Sequence, residues 1–357
     1  MSLFPFGYDF YYLWAAGSLL HQGKNPYDTL ILAEQLTQMG WPRLEAVGGF
    51  THPFTILWLY WAFAALPFNI ALGLWTIVSS SLIAWCCCRL SCLLLSPCFT
   101  QRRIVLFAIA AFPPALSNLV EGQVNALLLV GITSFALACK HSRFFLAGGA
   151  LSFTMCKPHA LLPLLIVIAL HELIHRRYRL LGGLALGSVM QFVCSYALAP
   201  EALDWYLKYL PTLPAQLSHI CGNTLAQQLE CLTTWSFVRP ALVFLGGLAS
   251  IAAVRRYGYS TDTLLRLVVP ISAIVAPFLW VHSMIILIPA LIPLIERLST
   301  VLSERWILWG LTGLSLVALP GLYGSSVVWL WLALPVVLLC ANLLLLPAPF
   351  PVAKNRR

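Results

Sequence analysis

What this sequence has least of is charge. Only 9% of its 357 residues are Asp, Glu, Lys or Arg, against about 25% in an ordinary soluble domain. So few charged side chains cannot cover a water-facing surface, which excludes a soluble globular enzyme. Chemical motifs are scarce too. There is no P-loop, no G-x-S-x-G elbow and no H-E-x-x-H, and no C-x-x-C pair faces a second one. P-loop nucleotide chemistry, serine-hydrolase chemistry and a zinc site are therefore not indicated. No D-x-D pair stands in a polar loop, which argues against a divalent-metal nucleotide-sugar enzyme. No cofactor and no metal is expected.

What is present is apolar sequence. Sixty per cent of residues are hydrophobic and the mean hydropathy is +0.86, spread over many runs. Runs of about 17–25 apolar residues are what a bilayer asks of a helix. The expected fold is all-α, a polytopic membrane protein. Apolar runs stand at 53–66, 71–95, 104–116, 123–139, 144–156, 158–170, 180–199, 236–254, 264–280, 283–295, 306–322 and 326–347. Several are shorter than a crossing and end at proline, as at Pro113-Pro114, Pro158 and Pro277. Broken helices at membrane depth are tolerated where backbone is buried in protein or lines a watery cavity. The reading is about ten or eleven spanning or half-spanning helices: an extracytoplasmic segment 1–52, a helical domain 53–347, and a basic tail 348–357.

The net charge of +9 does not point to nucleic acid, because no basic run is interleaved with aromatics. Its bases sit in short connections: Arg102-Arg103, Lys140 and Arg143, Arg176-Arg177 with Arg179, Arg255-Arg256, and Lys354 with Arg356-Arg357. That is the positive-inside pattern of cytoplasmic loops. Residues 1–52 and 200–235 carry more acid than base and are expected on the opposite side, at the plasma (inner) membrane. Residues 53–103 must then cross an odd number of times, although their length suits two helices. Most of the eleven cysteines lie within apolar runs as small hydrophobes; Cys221 and Cys231 share a polar loop, where a disulfide is one alternative.

Four polar interruptions stand out. Asp9 precedes a helical pattern of Tyr12, Ala15, Ala16, Leu19 and Leu20 that ends at Gly23. It is either the N-cap of an interfacial helix or a base at the membrane surface. Glu121, Gln123 and Asn125 break an apolar stretch, facing either a cavity or a surface loop. Lys157, before Pro158, is either a snorkelling residue or a cation for an anionic headgroup. His282, in Trp280-Val281-His282-Ser283, is either structural or chemical.

In order, these elements resemble family 87 glycosyltransferases, membrane enzymes of the GT-C superfamily that include polyprenyl-phosphate-mannose-dependent mannosyltransferases. The matching residues are the opening from Asp9 to Asn25-Pro26-Tyr27-Asp28, His52-Pro53 leading to Ala65-Leu66-Pro67-Phe68, Gly122-Gln123 with Asn125, Lys157-Pro158, and Trp280 with His282. Two features depart from the family: members usually carry a spanning helix before the opening motif, and many have a second histidine where Ser283 stands here.

The resemblance implies a transfer of a hexose or pentose, mannose-like, from a polyprenyl-phosphate donor to an extracytoplasmic lipid or polysaccharide acceptor, within membrane lipid. It implies catalytic roles for Asp9, as general base, and His282. It implies substrate contacts from Tyr12, Asp28, His52, Glu121, Gln123, Asn125 and Lys157. The alternatives are a transporter or flippase for lipid-linked sugars, which commonly shows internal repeats that this sequence lacks, and a polysaccharide polymerase or ligase.

Overall fold

The computed structural model describes residues 6–40, 50–95, 106, 109–110, 112–213, 224–233, 237–277, 279–302, 306 and 328–345. Among them no β-strand occurs. In chain order the helices are α1 (Tyr8–His21), α2 (Thr29–Gln38), α3 (Leu57–Ala64), α4 (Phe68–Leu94), α5 (Pro113–Glu121), α6 (Asn125–Lys140), α7 (Phe144–Leu151), α8 (Leu162–Ile174), α9 (Tyr178–Leu198) and α10 (Glu201–Tyr209). Then follow α11 (Leu225–Thr233), α12 (Val238–Tyr257), α13 (Val269–Val275), α14 (Ile288–Val301) and α15 (Val328–Leu345). Short 3-10 segments at Phe54–Ile56, Ser152–Cys156, Pro158–Ala160 and Val281–Leu287, and a π turn at Leu264–Val268, extend or interrupt them.

Among the described residues four stretches are long and apolar enough to cross a bilayer: Phe68–Leu94, Tyr178–Leu198, Val238–Tyr257 and Val281–Ser299. The protein is an all-α polytopic membrane protein. Five more apolar helices of 10–17 residues accompany them, too short at 1.5 Å per residue for a hydrocarbon core of about 30 Å. The four long stretches differ in surroundings. Val281–Ser299 is 78% buried in protein, whereas Tyr178–Leu198 is 17% buried. Leu186, Val189, Met190, Val193 and Tyr196 of α9 are exposed, and a helix apolar all round with such a surface is a membrane span. The hinge at Pro67 separates the short α3 from the 27-residue α4. Among the described residues of 53–103, one helix, Phe68–Leu94, is of crossing length.

The chain packs as two units, interleaved in sequence. The first comprises residues 1–86, 114–158 and 178–221; the second comprises 87–113, 159–177 and 222–357.

In the first unit α1 packs on α3, and α7 packs on α6 and α9. The α7–α9 contact is backbone-close. A Cβ on Gly148 would lie 1.8 Å from Leu180 O, and one on Gly183 would lie 1.9 Å from Phe145 O. Small residues let membrane helices approach in this way, since lipid provides no hydrophobic drive between them. The same contact sets the N-terminal ends of α7 and α9 together, so Arg143, just before α7, and Arg179, in the first turn of α9, share one end of this unit. α6 and the α7–Cys156 stretch run from that basic end, each for about 22–24 Å by helical rise. At their far ends stand Gln123 and Lys157.

In the second unit α8 packs on α12, and α13 packs on α12 and α15. A buried polar knot joins its helices. Asn342 Nδ2 donates to Ala290 O (2.9 Å) and Leu338 O (2.8 Å), and its Oδ1 accepts from Arg266 Nε (3.1 Å). Arg266 Nη1 also pairs with Asp262 (3.0 Å). The His171 ring stacks on Tyr259 with centroids 3.4 Å apart, so the basic turns after α8 and α12 share one end of this unit.

Candidate active site

Asp9 lies in the first turn of α1, but the helix is capped by Gly7, in the left-handed region at φ 79° with no side-chain cap bond. Gly7 N–H donates to Val120 O (2.7 Å), which ties the start of α1 to α5. The N-cap reading of Asp9 is thereby corrected: it stands two residues past the cap, inside the helix. The expected stop at Gly23 is observed. Gly23 takes φ 65°, and the amides of Gly23 and Lys24 bond back to Leu20 O and Leu19 O, the Schellman closure.

A second closure of this kind makes the break that carries Glu121. Gly122, at φ 73°, donates to Leu119 O, and Gln123 N–H donates to Asn118 O. A Cβ on Gly122 would meet the Cβ of Phe10 at 2.7 Å, so glycine here serves both the turn and the approach of α1. Trp75 Nε1 donates to Gly122 O (2.9 Å), holding the break from α4. The third break is at Lys157, whose backbone leaves the helical region (φ −147°, ψ 70°) between the 3-10 segments on either side.

These breaks put the candidates in contact. Lys157 Nζ donates to Gln123 Oε1 at 2.9 Å, and Gln123 Nε2 donates to Asp9 Oδ2. Asp9, Gln123 and Lys157, far apart in sequence, thus form one acid–amide–lysine chain. Glu121 joins it: a carboxylate oxygen lies within 4.8 Å of one on Asp9, and Ser117 Oγ donates to Glu121 Oε1. Lys157 and Gln123 are buried, at 8% and 6% exposure. Burial pulls the Lys157 ammonium down to about 8, against the attraction of Asp9, Cys156 and Glu121. Burial likewise pushes the Glu121 carboxyl up, opposed by Ser117, Asp9 and Lys157. Tyr12, one turn after Asp9, is held above the usual phenol range by burial first and by Tyr8 and Asp9 next. Asn125 is fully buried as the first residue of α6.

Two expected substrate contacts make structural bonds. Asp28 caps α2, accepting from Leu30 N–H (2.9 Å) and Ile31 N–H (3.2 Å). Asn25 Oδ1 accepts from Tyr27 N–H (2.9 Å), so Asn25-Pro26-Tyr27-Asp28 is a turn and a cap. The structure shows Asp28 in this structural use. His52 belongs to an aromatic group. Its Nδ1 bonds the Tyr60 hydroxyl (2.9 Å), and its carbonyl accepts from Tyr27 OH (3.3 Å). The Tyr27 ring also meets Tyr206 and Tyr209 of α10 at 5.4 and 5.3 Å, so α10 packs against the turn before α2. His282 is 4% exposed in the 3-10 segment Val281–Leu287 of the second unit. There Gln227 Oε1 accepts from Leu279 N–H (3.2 Å) just before Trp280.

Sequence reading missed Ser117 and the tyrosines of the aromatic group. Ser117 precedes Glu121 by four residues, the spacing of neighbours on a helix, and could have been found. Tyr60, Tyr206 and Tyr209 carry no such signal. Cys221, the side chain of Cys231, Arg102-Arg103 and the tail 348–357 lie outside the described residues.

A helical membrane protein with a charged, hydrogen-bonded site at its helix breaks is the class that fold and site define. Comparison of families makes it specific: the model of glycosyltransferase family 87 matches residues 50–283, and the chain belongs to that family. It is a membrane glycosyltransferase. The match includes His52, Glu121, Gln123, Asn125, Lys157 and His282, and leaves Asp9, Tyr12 and Asp28 outside it. No curated protein and no solved structure matches the chain.

Proposed function

We propose that this glycosyltransferase moves a mannose-like hexose or a pentose from a polyprenyl-phosphate donor to a lipid or glycan acceptor on the extracytoplasmic side of the plasma membrane. Asp9 takes the proton of the acceptor hydroxyl as that oxygen attacks the anomeric carbon. The bond from that carbon to the phosphate oxygen breaks, and its electron pair leaves with the polyprenyl phosphate. That leaving group is already a stabilised anion, so neither a nucleotide nor a metal is needed in the scheme.

The observation that carries this reading is the chain from Lys157 through Gln123 to Asp9. It sets a buried cation and a carboxylate on one amide. A positioned base contributes about 10²–10⁴-fold, and a preset cation meets negative charge developing on phosphate. When Asp9 gains the proton, Lys157 loses its counter-charge as the phosphate gains charge. Gln123, Asn125 and Tyr12 are proposed to hold substrate. His282 is proposed to orient the acceptor or the phosphate. The side of the membrane is supported within the first unit, where this site and the basic turns stand at opposite ends of α6, because basic turns favour the cytoplasm.

The test is a panel of radiolabelled polyprenyl-phosphate sugars, each supplied to membranes that contain the protein. A glycosylated lipid or glycan that requires the protein supports the reading. Movement of labelled donor across the bilayer with no new glycosidic product would instead identify a flippase.

A further inference from the structure

We propose that the arginine-lined end of the second unit binds the phosphate headgroup of an anionic phospholipid, through Arg176, Arg177, Arg255 and Arg256. Such a site is separate from the transfer chemistry, and nothing in it depends on the sugar or its donor. The four residues come from two helix ends that packing joins. α8 lies on α12. The His171 ring, in the last turn of α8, stacks on Tyr259 (centroids 3.4 Å apart) and on His175 (4.1 Å). His175 Nδ1 donates to His171 O (2.8 Å), which fixes that ring in turn. Arg176 and Arg177 follow His175 directly, and Arg255 and Arg256 lie in the last turn of α12, shortly before Tyr259.

All four arginines are exposed. Among the described residues none of them makes an ion pair or a side-chain hydrogen bond. Arg256 lies over the Tyr257 ring at 5.8 Å. The acids nearest in sequence are committed elsewhere: Glu172 is buried, and Asp262 pairs with Arg266. Four guanidiniums without a counter-charge at one end of a unit attract an anion, and the guanidinium fork matches phosphate oxygens in pairs.

Two further observations point to a lipid. The first is what leads up to the arginines. On α12, which is of crossing length, Phe244, Leu248 and Ala252 are exposed one turn apart and end at Arg255 and Arg256. On α8, Leu170 and Ile174 are exposed one turn apart and end at Arg176 and Arg177. Acyl chains can therefore lie along apolar helix faces while the headgroup meets the guanidiniums, as in the basic pockets between membrane helices that hold anionic headgroups. The second is the backbone of Arg176, in the left-handed region at φ 54°. Its turn is a Schellman closure, with Arg177 N–H donating to Glu172 O (2.8 Å) and Arg176 N–H to Leu173 O (3.1 Å). Glycine would close it without strain, and non-glycine residues held in this region cluster at ligand clamps.

The experiment is native mass spectrometry of the full chain in detergent, titrated with phosphatidylglycerol or with phosphatidylcholine of the same acyl chains. Phosphatidylglycerol is expected to bind more tightly. Replacing the four arginines by glutamine weakens it by about 10²-fold or more, at about fivefold for each arginine near an anionic headgroup, and leaves phosphatidylcholine unchanged. The control is Lys140→Gln with Arg143→Gln, at the basic end of the first unit, which is expected to leave phosphatidylglycerol binding as it was. A quadruple variant that keeps its preference, or a control that loses as much per charge, overturns the site. Glycerol 3-phosphate, which has the phosphate without acyl chains, is expected not to displace the lipid at equal concentration. Displacement would assign the arginines to a soluble anion and overturn the lipid. Arg176→Gly separates binding from folding, because glycine suits φ 54°. It is expected to raise the melting temperature in phosphatidylcholine while weakening phosphatidylglycerol about fivefold. Unchanged phosphatidylglycerol affinity in this variant would overturn the part given to Arg176.

Discussion

In the first unit the polar side chains of the candidate site other than Asp9 stand where helices stop. Glu121 ends α5, Gln123 follows the Gly122 turn, and Lys157 lies between two 3-10 segments. In the second unit the best-connected ones stand inside helical stretches: Arg266 in the π turn and Asn342 within α15. The difference has a physical basis. A side chain on a helix interior points at a neighbouring helix and ties it. At a break the backbone turns away and the side chain can meet residues from remote segments. Polar groups at breaks can therefore assemble a site, whereas polar groups within helices mostly hold the bundle.

The largest expected effect breaks this contrast at its centre. Asp9→Asn removes the proton acceptor while keeping the side-chain shape, and transfer per folded molecule falls by about 10²-fold or more. Since Gly7 caps α1, no helix cap is lost, but the buried Lys157 loses a counter-charge and the melting temperature falls; normal turnover per folded molecule would end the catalytic assignment.

Lys157→Met comes next. Removing one partner of a buried charged group leaves the other uncompensated, at about 3–5 kcal/mol, so this variant is expected to lose both folded protein and donor use. The double variant Lys157→Met with Asp9→Asn restores folded protein without restoring transfer. Folded protein still missing in the double variant would show that the coupling of these two charges is not what the lysine supplies. The lysine also sets a pH limit. With its ammonium held down to about 8 by burial, the charge is present below that value and lost above it. Affinity for the phosphate donor is therefore expected to weaken as pH rises through about 8, read as a rising KM. A flat KM across this range would remove the phosphate contact.

The second unit predicts the reverse signature. Asn342→Leu leaves Arg266 and the Ala290 carbonyl short of partners, at about 1–3 kcal/mol. It lowers the melting temperature while kcat of the surviving protein holds. A large fall in kcat at constant stability would mean that this knot acts on chemistry after all. Smallest is Asp28. Asp28→Ala costs about 1 kcal/mol as a lost cap and Asp28→Asn almost nothing, both without a change in KM. A KM increase in Asp28→Asn would return this acid to the substrate.

Much of this organisation was legible in order along the chain. Gly23, the Gly122 break, the Pro67 hinge and the interruption at Lys157 all follow from glycine and proline chemistry, which is local. The count of crossings was less legible. Apolar composition does not distinguish a membrane span from a short helix buried in protein, and α6, α7 and α8 are of the shorter kind. Asp9 and Asp28 show the same limit at one residue. Both are acids at the head of a helix, and residue type favours a cap for each. A two-position difference in where the helix begins makes Asp28 a cap and turns Asp9 toward Gln123.

By itself, then, the sequence determined the solvent, the helical class, the positions of the breaks and the family, because hydropathy, glycine and proline act over short range and motifs keep their order. Tertiary structure alone decided which broken ends meet. Asp9 reaches Gln123 across 114 positions and Gln123 reaches Lys157 across 34. Those contacts depend on α1 lying against the Gly122 turn and on glycine-close packing that positions α7. No local pattern encodes them, since they come from the shapes of several helices packed at once.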